Sequence, residues 1–148
     1  EMCIRDSDLT VARASAPFIQ AFSKIGLIPD SGGTWFLPRL VGMQRAAALT
    51  FLGDKLSATE AEAIGLIHKA VADEAFEAEV AALAERLAQL PTRGLGLTKR
   101  AFNAGWEAEL SDHLTTERDL QMEASNTADY AEGVAAFLEK RAPQFKGS

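Results

Sequence analysis

Apolar and polar positions alternate through DLTVARA at residues 8–14, where Leu9 and Val11 fall on one side of a period of two, and this predicts a strand. A second short extended piece is expected around residues 18–22, within PFIQAFSKIGLIP. Beyond the Gly32-Gly33 pair the period becomes helical and stays so. TWFLPRL predicts a short helix started or broken by Pro38. GMQRAAALTFLG predicts an Ala- and Leu-rich helix closed by Gly53. SATEAEAIG carries a capping box, Ser57 with Glu60, and ends on Gly65. LIHKAVA predicts a short edge strand. Between residues 74 and 90, Val80, Leu83, Ala84 and Leu87 recur at i, i+3, i+4 and i+7, the stripe of an amphipathic helix. Pro91 and Thr92 restart the chain into a helix reaching Trp106, and residues 111–124 predict a third, rich in charge. Thr127 then caps a last helix with Tyr130, Val134, Phe137 and Leu138 on one face. The predicted whole is a strand-containing start followed by a helical tail.

These four consecutive helices have modest apolar stripes, and isolated helices of that length are marginal in water. They require a partner surface, either another part of the protein, a second subunit, or both. The chain of 148 residues is long enough for one domain-sized core. Its formal charge of −6 disfavours nucleic acid or an anionic membrane as the main partner, because both call for basic patches. No apolar run approaches a membrane span. The single cysteine, Cys3, allows no disulfide framework, makes the cytoplasm the default compartment, and forms no metal pattern with His68 or His113. The opening EMCIRDS carries no signal-peptide core and no period that continues into the first strand. Residues 1–7 are therefore expected to be a scar or broken end, with residues 8–148 the protein proper.

The chemical question lies in GLIPDSGGTW. Pro-Asp-Ser-Gly is ordinary turn chemistry, and an acid before a helix is ordinary capping, so spacing alone favours a plain role for Asp30.

Three longer stretches change that balance. FSKIGLIPDSGGTWFLPRLVG, ALTFLGDKLSATEAEAIGLIHKAV and DYAEGVAAFLEKRAPQF resemble, in order and spacing, the crotonase (enoyl-CoA hydratase/isomerase) superfamily, over nearly everything after residue 8. AFSKIGLIPDSGGTW and EKRAPQF look most like its phenylacetate-pathway branch, the isomerases of ring-epoxide phenylacetyl-CoA. The resemblance implies the C-terminal part of an α/β spiral, with the last short strands followed by a mostly helical trimerisation region. The family's two oxyanion N–H donors would lie upstream of residue 8. Without them a chain loses what is commonly the largest electrostatic contribution to such catalysis, so this one is expected to be inactive alone.

Family hydratases use two glutamates. One falls upstream, and the other aligns with Phe22, which cannot transfer a proton. The resemblance places the catalytic aspartate of the single-acid isomerases at Asp30, and moving a proton along an enoyl thioester needs one such carboxylate. Phe22, Leu27, Ile28, Trp35 and Phe36 are expected to desolvate it and raise its pKa. Gly32 and Gly33 are expected to allow close approach of backbone and helix and, with Phe22, Ile28 and Trp35, to shape the acyl pocket. Trp35 and Phe36 read equally well as core. By the resemblance, Phe137 and Lys140 meet the adenine and phosphates of coenzyme A held by a neighbouring subunit; the plain alternative makes EKRAPQFK a solvated basic tail. His68 and His113 are expected at the surface, and Arg93, Lys99 and Arg100 are a basic cluster with no role beyond solubility.

The expected function is isomerisation of an unsaturated or epoxidised aryl-acyl-CoA in a homotrimer or dimer of trimers. Coenzyme A is part of the substrate, with no metal and no separate cofactor. Phe22 argues against the rival enoyl-CoA hydratase, while a Δ3,Δ2-enoyl-CoA isomerase of fatty-acid oxidation stays open. An aryl-CoA dehalogenase with Asp30 as nucleophile and a purely helical assembly module are the remaining alternatives.

Overall fold

The structure, a computed structural model, describes residues 7–148, so all but the last residue of the expected EMCIRDS end lies outside the described residues. The chain divides into two compact units, with the boundary at Val80 and Ala81.

In the first unit, β1 (Val11–Arg13) pairs in parallel with β4 (Lys69–Val71), placing Ala12 opposite Ala70. A second, antiparallel pair joins β2 (Pro17–Ile19) to β3 (Lys55–Ser57), with Phe18 opposite Leu56. Both expected early strands exist but are three residues long. The second ends at Ile19, and Phe22 belongs instead to a 3-10 helix over Ala21–Ile25. Between the strands of the second pair run α1 (Gly33–Val41) and α2 (Met43–Leu52), followed after β3 by α3 (Ala58–Ala63). Pro38 neither starts nor breaks α1 but lies inside it. Its ring forgoes one backbone donor, while its carbonyl still accepts from the Gly42 N–H at 3.0 Å.

Alanines set the packing distance. Ala58 and Ala61 are fully buried on α3 and meet Ala12, Phe18 and Ile67, so the helix lies close to the strands. Leu37, Val41 and Ala46 form a second cluster, where α1 meets α2. The capping box is complete: the Ser57 hydroxyl accepts from the Glu60 N–H at 3.2 Å, and the Glu60 carboxylate accepts from the Ser57 N–H at 2.9 Å. The Ser57 hydroxyl also donates to that carboxylate at 2.6 Å, and this bond, with the Ser57 N–H, holds the Glu60 carboxyl below its usual pKa. Asp73 plays a comparable part at the β1–β2 turn. It accepts from the Ser15 hydroxyl at 2.5 Å and the Ser15 N–H at 3.1 Å, and its pKa falls for the same reason.

Helix α4 (Phe76–Ala88) crosses the boundary between the units. In the second unit, α5 (Thr92–Gly105) packs against α6 (Leu110–Ser125), and α7 (Ala128–Glu139) comes next. The core here is thin: among the described residues of this unit only Leu97, Ala136 and Asp129 are buried. Phe102, Leu114, Met122, Phe137 and Leu138 are all exposed, in keeping with helices that need a partner surface. His113, expected at the surface, is half-buried. Its ring packs about Gly105, where an added Cβ would come within 3.1 Å of it, while Nδ1 is buried with no hydrogen-bond partner. The basic cluster is paired rather than merely solvated: Arg93 and Arg100 reach the two oxygens of Glu123 at 3.2 and 3.3 Å.

Candidate functional site

The turn that carries Asp30 is built by backbone. Gly26, left-handed at φ 72°, closes the 3-10 helix, and Leu27 N–H donates to the Phe22 carbonyl at 3.0 Å. The Asp30 carbonyl then accepts from Gly33 N–H at 2.7 Å across Ser31 (φ 49°) and Gly32 (φ 80°). Two successive left-handed residues make this a type I′-like turn, comfortable for Gly32 but strained for Ser31. It delivers the chain directly into α1: the Gly32 carbonyl accepts from both Trp35 and Phe36 N–H at 2.9 Å. The N-cap position belongs to Gly32, so Asp30 is not the helix-capping residue of the plain reading.

Space at Gly32 is scarce. A Cβ there would lie 3.0 Å from the Phe36 ring, so close approach and a left-handed backbone both call for glycine. Gly33 is buried in the first turn of α1. Trp35 is held from one side by Arg39, whose guanidinium lies 3.3 Å from the indole centroid and donates to the Trp35 carbonyl at 3.0 Å. Asp30, Gly32, Gly33 and Trp35 thus share one turn, with Phe22 tied in through Leu27. The expected apolar shield over Asp30 is not closed. Asp30 is exposed, Leu27 and Ile28 are 60% and 77% exposed, and Phe22 is half-buried. Within this chain these side chains form an open wall.

The C-terminal end contrasts with that openness. Thr127 caps α7 as expected, accepting from Tyr130 N–H at 3.1 Å. Phe137, 84% exposed, and Lys140, exposed and left-handed at φ 55°, mark the far end of the helix. Residues 141–147 are not a merely solvated tail. Arg141 makes a two-pronged pair with Glu132, at 2.6 and 2.9 Å, and Gln144 N–H donates to the same carboxylate at 2.8 Å. The Arg141 bond and the Gln144 N–H hold the Glu132 pKa down at about 2. Buried Asp129 accepts from Lys146 and Gly147 N–H at 2.7 and 2.8 Å. Phe145 lies over Gly133, beside an apolar groove of about 420 Å³ lined by Pro91, Tyr130, Val134 and Phe137. Sequence reading missed Asp129 and Glu132, because their partners sit 9 to 18 residues away and no local spacing announces them. Among the described residues, no group of three or more His, Cys, Asp or Glu is arranged for a metal ion, and no helix is long and apolar enough to cross a membrane.

Known proteins match the chain over nearly its whole length. The family model described as enoyl-CoA hydratase/isomerase matches residues 4–148. The 1,2-epoxyphenylacetyl-CoA isomerase of Escherichia coli is 51% identical over 140 residues, covering 95% of this chain and 53% of that protein. A Rhodobacter capsulatus protein named "Probable enoyl-CoA hydratase" is 48% identical, covering 95% of this chain and 55% of its own length. The crystal structure of an enoyl-CoA hydratase/isomerase from Cupriavidus metallidurans superposes with a TM-score of 0.91 at 34% identity, over 99% of this chain and 55% of that one. The chain spans about half the length of the relatives it matches, and the crotonase-type fold expected from the sequence is borne out over that span. By sequence and fold together, the chain belongs to the enoyl-CoA hydratase/isomerase family.

Proposed function

We propose that this sequence supplies the C-terminal half of an acyl-CoA isomerase acting on an unsaturated or epoxidised aryl-acyl-CoA of phenylacetate breakdown, with Asp30 as its proton carrier. The carrying observation is the acid inventory of the turn. A carboxylate stands at Asp30 on a strained turn entering α1, and by the family resemblance Phe22 takes the position of the second acid that hydratases use to add water. In the proposed step the Asp30 carboxylate takes a proton from a carbon conjugated to the thioester, and the electron pair spreads onto the thioester oxygen as an enolate. With an enoyl thioester the same carboxyl returns the proton to a different carbon, so the double bond moves and nothing is gained or lost. The donors that hold the enolate oxygen belong to the upstream half of the enzyme. Coenzyme A enters as part of the substrate, with Phe137 and Lys140 reaching its nucleotide from a neighbouring subunit of a trimer or dimer of trimers. A cytoplasmic setting completes the proposal.

A hydratase reading draws on the name of the Rhodobacter relative. Mass spectrometry of the full-length enzyme's products separates the two. Ring-epoxide phenylacetyl-CoA and 3-enoyl-CoA should give products of unchanged mass. A 2-enoyl-CoA converted efficiently to a product heavier by one water would overturn the isomerase proposal.

A further inference from the structure

Two of the three carboxylates on α7, Asp129 and Glu132, have no part in the proposed proton transfer, yet both bind the segment that follows the helix, Asp129 through two hydrogen bonds and Glu132 through three. Asp129 and Glu132 are three residues apart and therefore neighbours on the helix surface. Asp129 collects the N–H groups of Lys146 and Gly147; Glu132 collects both prongs of Arg141 and the N–H of Gln144. Arg141 is further fastened to Glu139 at 2.6 Å. Residues 141–147 are thereby folded back along the helix that precedes them. Lys140 is the pivot of that reversal. It holds a left-handed backbone that a residue with a side chain seldom adopts, and its N–H closes the helix on the Ala136 and Phe137 carbonyls. Some restraint must hold it there, and the strap that begins at the next residue supplies one.

We infer that Asp129 and Glu132 are positioning residues: by strapping residues 141–147 to α7 they fix the left-handed turn at Lys140, and so the direction in which its ammonium is offered to an anionic ligand. This rests on the proposed role of Lys140 toward the coenzyme A phosphates. A lysine on a long flexible stem gains most from such restraint, because ordering it on binding otherwise weakens the complex.

The test uses the full-length enzyme with acyl-CoA and with a pantetheine-truncated thioester lacking the nucleotide. Glu132→Gln keeps the size of the side chain but removes its charge. It should speed hydrogen exchange at the Gln144 and Lys146 amides by about tenfold. It should also raise KM for acyl-CoA by about fivefold, leaving kcat and the truncated substrate within about twofold. If Glu132→Gln folds poorly, Arg141→Lys keeps the charge but loses the fork, and the same pattern should appear at about half that size. Lys140→Ala fixes the reference. Should it raise KM for acyl-CoA while Glu132→Gln loosens the strap without effect, the inference fails and the role of Lys140 stands. An inert Lys140→Ala removes both. Equal losses for both substrates show general damage to packing and also overturn the inference.

Discussion

The turn at residues 26–33 and the strap at residues 129–147 place carboxylates in opposite circumstances. Asp30 stands on a backbone-built turn, exposed, close in sequence to Leu27 and Ile28, which are exposed as well. Asp129 and Glu132 are wrapped by backbone donors and an arginine fork, with Asp129 only 4% exposed. The Arg141 fork and the Gln144 N–H hold Glu132 in its charged form, and a carboxylate so held is poorly suited to pass a proton back and forth. An exposed carboxylate on a turn built by the backbone suits the proton-carrying role proposed for Asp30, once another surface shields it. The contrast fits the proposed division, with chemistry at the first region and shape at the second.

The largest effect expected tests that division directly. In the full-length enzyme, Asp30→Asn should lower turnover by about 100-fold or more while leaving acyl-CoA affinity and thermal stability nearly unchanged. Turnover retained within a few-fold would return Asp30 to the status of a turn residue. Phe22→Glu probes the same region from the other side. It should reduce stability by placing a charge at a half-buried position, and it should confer hydration activity only if the upstream half supplies a second carboxylate.

Glycines give the next comparison. Gly32 is left-handed and its missing Cβ faces the Phe36 ring at 3.0 Å, so Gly32→Val should cost roughly 2 kcal/mol and reduce turnover with it. Gly133 lies mid-helix, where a Cβ would meet Phe145 at an ordinary 3.5 Å. Gly133→Ala should therefore be neutral or add up to about 1 kcal/mol, through helix propensity. Denaturant melts of the two variants should move in opposite directions. If both destabilise equally, the turn is no more constrained than the helix.

Much of the fold was legible because it is written in local grammar. The Ser57-Glu60 box, the Gly53 stop and the Thr127 cap each depend on residues three or four apart, and each forms. Strand positions were legible but not their lengths, since three-residue strands are set by pairing partners about 40 to 60 residues away. Pro38 was misjudged as an end because its cost was weighed alone, whereas Leu37 and Val41 on the same helix are buried against α2. In the candidate site, the turn around Asp30 was readable from Pro, Ser and two glycines. The missing cover over Leu27 and Ile28 was not, because burial depends on surfaces that a local pattern does not describe. Asp129 and Glu132 escaped notice for the same reason, looking like ordinary helix-surface acids until the tail returns to them.

The smallest effect expected comes from acid. Glu132 has a folded pKa of about 2 against an ordinary value of 4.5. A depressed carboxylate pKa stabilises the folded form fully above the unfolded value, and that contribution is lost as pH falls from about 4.5 toward the folded pKa of about 2. Four neighbours bear on this titration: Arg141 and Lys146 favour the charged form of Glu132, while Asp129 and Glu139 add negative charge nearby. Glu60 and Asp73 are depressed as well, so the acid limb of a global melt mixes all three. Exchange of the single Gln144 amide isolates the strap, because that N–H donates to Glu132 itself. Its protection should be level above pH 5 and decline below about pH 4, whereas the Glu60 N–H, which donates to the Ser57 hydroxyl, reports separately on α3. Protection at Gln144 that stays level down to pH 2 would show that the arginine fork does not hold the tail. The strap would then stand on Asp129 alone.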